Sequence, residues 1–97
     1  MLTVVETNQF AKRSAKFWSP DELDEFTSYI AGHPEAGDVV AGTGGVRKVR
    51  WLSQGRGKRG GARIIYFYHS AAMPLFLLDS HDKTQLRTIV HTILRKV

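Results

Sequence analysis

Apolar positions along this chain fall into two rhythms, one helical and one extended. Leu23, Phe26, Thr27 and Ile30 follow at i, i+3, i+4 and i+7, which lays a buried stripe along a helix. Just ahead of it, Ser19-Pro20-Asp21-Glu22 sets a serine N-cap, a proline at the first helical position and a glutamate at the third. That is a capping box: serine and glutamate satisfy two orphan backbone donors reciprocally, and the acids suit the positive end of the helix dipole. Gly32 ends this helix and His33-Pro34 prevents its resumption. An earlier helix, capped by Thr7 or Asn8, runs to about Trp18 and gathers Phe10, Phe17 and Trp18 near one face. A last helix, capped by Asp82 with Gln85, carries Leu86, Ile89, Val90, Ile93, Leu94 and Val97 as an apolar stripe. Arg95 and Lys96 complement its negative end.

The extended rhythm fills the middle. Residues 2–5 predict a short first strand, and residues 33–45 a glycine-rich connector. Residues 46–52 alternate, with Val49 and Trp51 pointing one way and Lys48 and Arg50 the other, as a half-buried strand requires. Residues 53–60 form a basic, glycine-rich loop. Residues 62–69 are rich in Ile, Tyr and Phe with no polar alternation after Arg63, which predicts a central strand covered on both faces. Residues 74–78 make a further strand. The order is strand, two helices, three strands, helix, hence an α+β fold. Successive strands with short connections imply an antiparallel sheet meander. The two N-terminal helices are expected to pack on one face, leaving the face of Lys48 and Arg50 open, with a C-terminal helix to follow. There is no internal repeat, and residues 1–97 read as a single domain.

At 97 residues the chain has room for one modest core and none for a separate cofactor domain. It has no cysteine, which excludes disulfides, Cys-ligated zinc and thiol catalysis. No apolar run approaches the length of a membrane span, and Met1-Leu2-Thr3-Val4-Val5-Glu6 is too soon interrupted for a signal peptide. A cytoplasmic protein with no membrane partner is the expectation.

Charge placement says more than the net charge of +5. Six of the nine acids fall between positions 21 and 38, whereas residues 39–78 contain no acid and seven bases. Those bases are Arg47, Lys48, Arg50, Arg56, Lys58, Arg59 and Arg63. A field of one sign over such a length attracts a polyanion and speeds its encounter. The alternative is a solvated basic face with no partner.

Several motifs fail on context. Gly55, Gly57 and Gly60 fit G-x-G-x-x-G, but a strand follows where the dinucleotide fingerprint requires a helix. Lys58 is followed by Arg59 rather than Ser or Thr, so there is no Walker loop. His33, His69, His81 and His91 show no metal-ligand spacing. His69 or His81 could act as acid or base beside a cleft, but no carboxylate is specified to orient either ring. No cofactor or metal is expected. What survives is a cation constellation. Lys48 and Arg50 project from one strand face, Arg63 opens the adjacent strand, and Arg56, Lys58 and Arg59 lie in the loop between. Guanidinium forks grip phosphate oxygens in pairs. Trp51, Tyr66, Phe67 and Tyr68 lie in the same region and could stack on unpaired bases, although most of them must be core.

Three runs together resemble a known family: residues 35–40 (EAGDVV), residues 42–51 (GTGGVRKVRW) and residues 55–68 (GRGKRGGARIIYFY). They are similar to the HigB branch of the RelE/ParE toxin superfamily, and the likeness extends from Phe10 to about Leu78 and resumes in the last helix. The resemblance implies a compact RelE-like α+β toxin of a bacterial type II toxin–antitoxin pair, with a cognate antitoxin as partner. In RelE-like members the toxin enters the ribosomal A site and cleaves mRNA; in ParE-like members it poisons gyrase. Carried over by position, Lys48 and Arg50 match the strand cations of the RNA-cleaving members, and Arg63 matches the arginine set against the scissile phosphate. Arg56, Lys58 and Arg59 share only the basic character of their loop, and with Arg47 they are candidates for contact with RNA or ribosome. One departure stands out: Leu77-Leu78-Asp79 runs directly into Ser80-His81-Asp82-Lys83, without the polar acidic stretch that supplies further active-site residues in RNA-cleaving relatives.

The expected function is therefore a ribosome-dependent mRNA endoribonuclease that inhibits translation, with Arg63, Lys48 and Arg50 as catalytic candidates. The alternatives are a gyrase-inhibiting toxin without nuclease activity and an inactive basic RNA-binding module.

Overall fold

The computed structural model describes residues 2–51, 62–79 and 82–95, with backbone alone at Phe17 and Ala62. Along these residues run β1 (Val4–Glu6), α1 (Asn8–Phe17), α2 (Pro20–Gly32), β2 (Asp38–Val39), β3 (Val46–Trp51), β4 (Ala62–Phe67), β5 (Leu75–Leu78) and α3 (Lys83–Arg95). The basic loop at 53–60, with Arg56, Lys58 and Arg59, lies outside the described residues, as do Leu52, His81, Lys96 and Val97.

Local chemistry sets the helix starts. At α2 the Ser19 hydroxyl accepts from the Glu22 backbone N–H at 3.2 Å, and the Ser19 N–H donates to Glu22 Oε1 at 3.0 Å. The expected capping box is complete. Thr7 is the N-cap of α1, but its side chain does not cap. Its hydroxyl donates to the Leu77 carbonyl at 2.7 Å, and its N–H reaches the same oxygen at 3.2 Å. The start of α1 is thus tied to β5. Asp82 Oδ1 accepts from the Thr84 N–H at 2.8 Å and opens α3.

The strands form one five-stranded sheet of described residues, in the order β1-β5-β4-β3-β2. From β2 to β5 neighbours are antiparallel. The edge strand β1 instead pairs parallel with β5, Val4 opposite Leu75, so the sheet is mixed rather than wholly antiparallel. Hairpin reasoning constrains only strands joined by short connections, and β1 reaches β5 from the far side of two helices. The two-residue β2 within the glycine-rich connector was not expected; two residues carry no readable period. The turn from β2 into β3 uses Gly42, Gly44 and Gly45 at positive φ. There Thr43 Oγ1 donates to the Val40 carbonyl at 2.6 Å and accepts from the Val46 N–H at 3.2 Å.

Both sheet faces are covered. On one, Phe10 of α1 and Phe26 and Ile30 of α2 pack over Ile64, Tyr66, Leu75 and Leu77, as the two-helix expectation required. On the other, Leu86 and Val90 of α3 pack over Val46, Ile65, Phe67 and Leu78. Ile64, Ile65, Tyr66 and Phe67 of β4 are all buried, so the central strand is sandwiched as its continuous apolar run predicts. The face of Lys48 and Arg50 is consequently not open along its length. α3 closes the end near Val46 and Phe67, and the expectation of a free face holds only for the end near Arg50 and Arg63. No described helix is long and apolar enough to cross a membrane.

Candidate nucleic-acid interface

Strand register decides which cations meet. Lys48 lies opposite Ile65, and Arg50 lies directly opposite Arg63. Residues opposite each other in an antiparallel pair share a face. Lys48, Arg50 and Arg63 therefore share the α3-bearing face, at the end α3 leaves uncovered, and all three are exposed. A cleft of about 310 Å³ opens at Arg63, lined by Arg13, Arg63, Ile65, Leu78 and Asp79. Its lining joins the apolar Ile65 and Leu78 to the charged Arg13, Arg63 and Asp79. Guanidinium forks there can grip the oxygens of an anion in pairs.

Arg13 and Asp79 were not among the sequence candidates. Arg13 reaches from α1 to Asp79 at the end of β5, Nη1 to Oδ1 at 3.3 Å. The carboxylate is the more sheltered partner, with 24% of its side chain exposed against 54% for the arginine. No pattern links two such distant positions; only the docking of α1 against β5 brings them together.

Arg47 goes elsewhere. It sits opposite Tyr66, on the face covered by α1 and α2. Its guanidinium donates to the Gly37 carbonyl at 2.8 Å and the Glu35 carbonyl at 3.3 Å. Arg47 thus clamps the chain leading into β2 and is not brought together with Lys48 and Arg50. The phenol of Tyr66 holds the same segment, accepting from the Gly37 N–H and donating to the Pro34 carbonyl, each at 2.8 Å. Burial raises its pKa above 10.0, opposed by the Gly37 hydrogen bond and the Arg47 charge.

The aromatics near the cations are structural. Tyr66 and Phe67 are wholly buried, and Tyr68 packs against the core. Trp51 packs edge-to-face with Phe26 and tilted against Tyr29, at centroid distances of 5.4 and 5.0 Å. Its buried indole N–H has no hydrogen-bond partner among the described residues. His33 stacks on Tyr29, with Nδ1 3.0 Å from the Tyr29 carbonyl at the end of α2. His69 stacks on Phe67, and His91 is exposed on α3. None of these three rings lines the cleft. Among the described residues, no three His, Asp or Glu side chains gather to hold a metal ion.

Helix charge is segregated as well. α1 carries Lys12, Arg13 and Lys16 and no acid; α2 carries Asp21, Glu22, Asp24 and Glu25 and no base; α3 carries Lys83, Arg87 and Arg95 and no acid. The acidic α2 and the cation group therefore lie on opposite sides of the sheet. Such a charge distribution turns one side of the molecule toward a polyanion.

No protein-family model matches the chain.

Proposed function

We propose that the protein is a RelE-like toxin of the HigB type, a cytoplasmic, ribosome-dependent mRNA endoribonuclease kept in check by a cognate antitoxin. The observation that carries this reading is the facing pair Arg50 and Arg63, with Lys48 on the same face and Arg63 lining an open cleft. Two like charges directly opposite one another weaken a sheet, and a polyanion bound across both would offset that cost.

In the proposed reaction the 2′-oxygen of a bound ribonucleotide attacks the adjacent phosphorus. The bond to the 5′-oxygen breaks in line, leaving a 2′,3′-cyclic phosphate and a free 5′-hydroxyl. The nucleophile is internal to the substrate, so the chemistry demands orientation, charge stabilisation and proton transfer. Arg63 and Arg50 would neutralise the crowded phosphorane, and Lys48 would hold the flanking phosphate and give the departing 5′-oxygen its proton. Asp79 is the carboxylate lining the same cleft. It would take the proton from the 2′-hydroxyl, with Arg13 fixing its orientation. The ribosome would supply the bent message, so free RNA should be a poor substrate.

The test is to map transcript 5′ ends in cells soon after induction, for the wild-type chain and for Arg63→Ala with folding verified. New ends within translated messages that vanish in the variant support the reading. Intact mRNA together with arrested gyrase–DNA complexes would reject it in favour of the gyrase-poisoning class.

A further inference from the structure

The helix that closes the second sheet face carries cations that the cleft does not use. Lys83, Arg87, His91 and Arg95 recur every fourth residue along α3, and all four are exposed. At the α-helical rise this row steps by about 6 Å and spans about 18 Å. α3 contains no acid, and Lys83, Arg87 and Arg95 form no ion pair among the described residues. Lys83 and Arg87, four residues apart, are like charges that repel and destabilise the helix. Helical stability would favour acids at alternate places in the row, and α2 shows that this chain uses helical acids freely elsewhere.

The surroundings of the row suit a polyanion. Beside it run Thr84, Thr88 and Thr92, also exposed. The Thr88 and Thr92 hydroxyls donate inward, to the Thr84 and Thr88 carbonyls at 3.0 and 2.9 Å. These short neutral side chains leave the row accessible from one flank. His91 contributes a ring N–H donor whether or not it is charged. A basic amphipathic helix can also lie on a membrane, but that requires a free apolar face. Here Leu86 and Val90 are spent in the core, at 2% and 4% exposure.

We infer that the Lys83–Arg87–His91–Arg95 row is a docking surface for the phosphate backbone of duplex RNA. The row offers evenly spaced donors and nothing that reads a base edge, so it tracks backbone rather than sequence. RNA sugars in the A-form draw successive phosphates closer together than B-form DNA does, and the short helical step favours the RNA strand. The inference stands apart from the cleavage reading: a chain without nuclease activity would still dock through α3.

The experiment is fluorescence anisotropy of a labelled, blunt RNA hairpin titrated with the full-length chain at several salt concentrations. Replacing both arginines (R87Q/R95Q) is expected to weaken binding and make the slope of log K against log salt shallower by about two, one for each phosphate no longer neutralised. The charge-preserving R87K/R95K should keep most of the affinity, and K12Q/K16Q, which removes the same charge from α1, should keep the slope. A DNA hairpin of the same sequence should bind more weakly. Both arginines are exposed, so R87Q/R95Q leaves the core intact, and circular dichroism checks its folding directly. The inference is overturned if the wild-type chain does not bind the hairpin or if R87Q/R95Q keeps the wild-type slope. It is equally overturned if K12Q/K16Q loses as much, if DNA binds as well, or if polyglutamate of matched charge displaces the hairpin equally well, which would mark an acidic protein as the partner.

Discussion

Arg50 and Arg63 face each other as direct cross-strand partners of β3 and β4, two guanidinium groups on one exposed sheet face. Facing like charges weaken the sheet, so relieving them should stabilise it, typically by about 0.2–1 kcal/mol. The proposed chemistry needs both. Arg63→Glu is therefore expected to raise the urea midpoint slightly while mRNA cleavage in a translating extract falls at least about 100-fold, the usual cost of removing one electrostatic interaction with a transition state. Opposite signs for stability and activity identify a functional cation. A variant that loses both together would mark Arg63 as structural.

Asp79→Asn separates the same two properties at the other side of the cleft. Its partner Arg13 is largely exposed, so the missing ion pair should alter stability by less than about 1 kcal/mol. An amide cannot accept the 2′-hydroxyl proton. Cleavage is expected to fall by roughly 100- to 10,000-fold, the range for a positioned acid or base. Single-turnover rates on ribosome-bound message, measured beside urea unfolding, check both halves; a variant with the wild-type cleavage rate removes Asp79 from the mechanism.

The legible parts of this molecule are those written locally. Ser19, Pro20 and Glu22 specify the start of α2 within four residues, and the helix begins there. Period two along 46–52 places Lys48 and Arg50 on one face without knowledge of the partner strand. What stayed hidden depends on packing between segments far apart in the chain. β1 lies parallel to β5 because an edge was free, and α3 covers half of the cation face because its apolar stripe needed a second core. Asp79 joins the site through the pairing of β5 with β4, and Arg13 joins it because α1 docks beside β5. Arg47 is the sharpest case: one position from Lys48 in sequence, it faces the other side of the sheet and bonds two carbonyls. Sequence charge counts it with the patch, and strand alternation separates it.

Gly37 is needed for closeness rather than for an unusual φ. A Cβ there would stand 2.7 Å from the Lys48 carbonyl oxygen and 2.9 Å from the Tyr66 hydroxyl. The first neighbour is strand backbone and cannot swing away. Gly37→Ala should destabilise the protein by about 1–3 kcal/mol, as overpacking of a tight site does. Because β3 must shift to relieve the clash, activity should fall with stability, unlike in Arg63→Glu. Urea unfolding of the glycine and alanine forms gives the number, and an unchanged midpoint would show that the 33–37 segment yields freely.

The Tyr66 hydroxyl both accepts from Gly37 and donates to Pro34, and its side chain is fully buried. Tyr66→Phe leaves an N–H and a carbonyl without their partner, so a loss of about 1–3 kcal/mol is expected near neutral pH. The same group makes that loss depend on pH. Burial raises its folded pKa above the ordinary 10.0, so between the unfolded and folded values the native state holds the proton that the unfolded state has released. Stability from this group is complete below pH 10 and drains away as pH rises through the folded value. The phenylalanine form has no such proton. The stability gap between the two proteins should therefore be constant from pH 6 to about 9 and narrow above about 10. Urea unfolding of both forms across that range reads the gap directly, and the other tyrosines and lysines cancel in the difference. A gap that widens with alkali would mean that the folded protein prefers the phenolate, with Arg47 rather than burial governing the site.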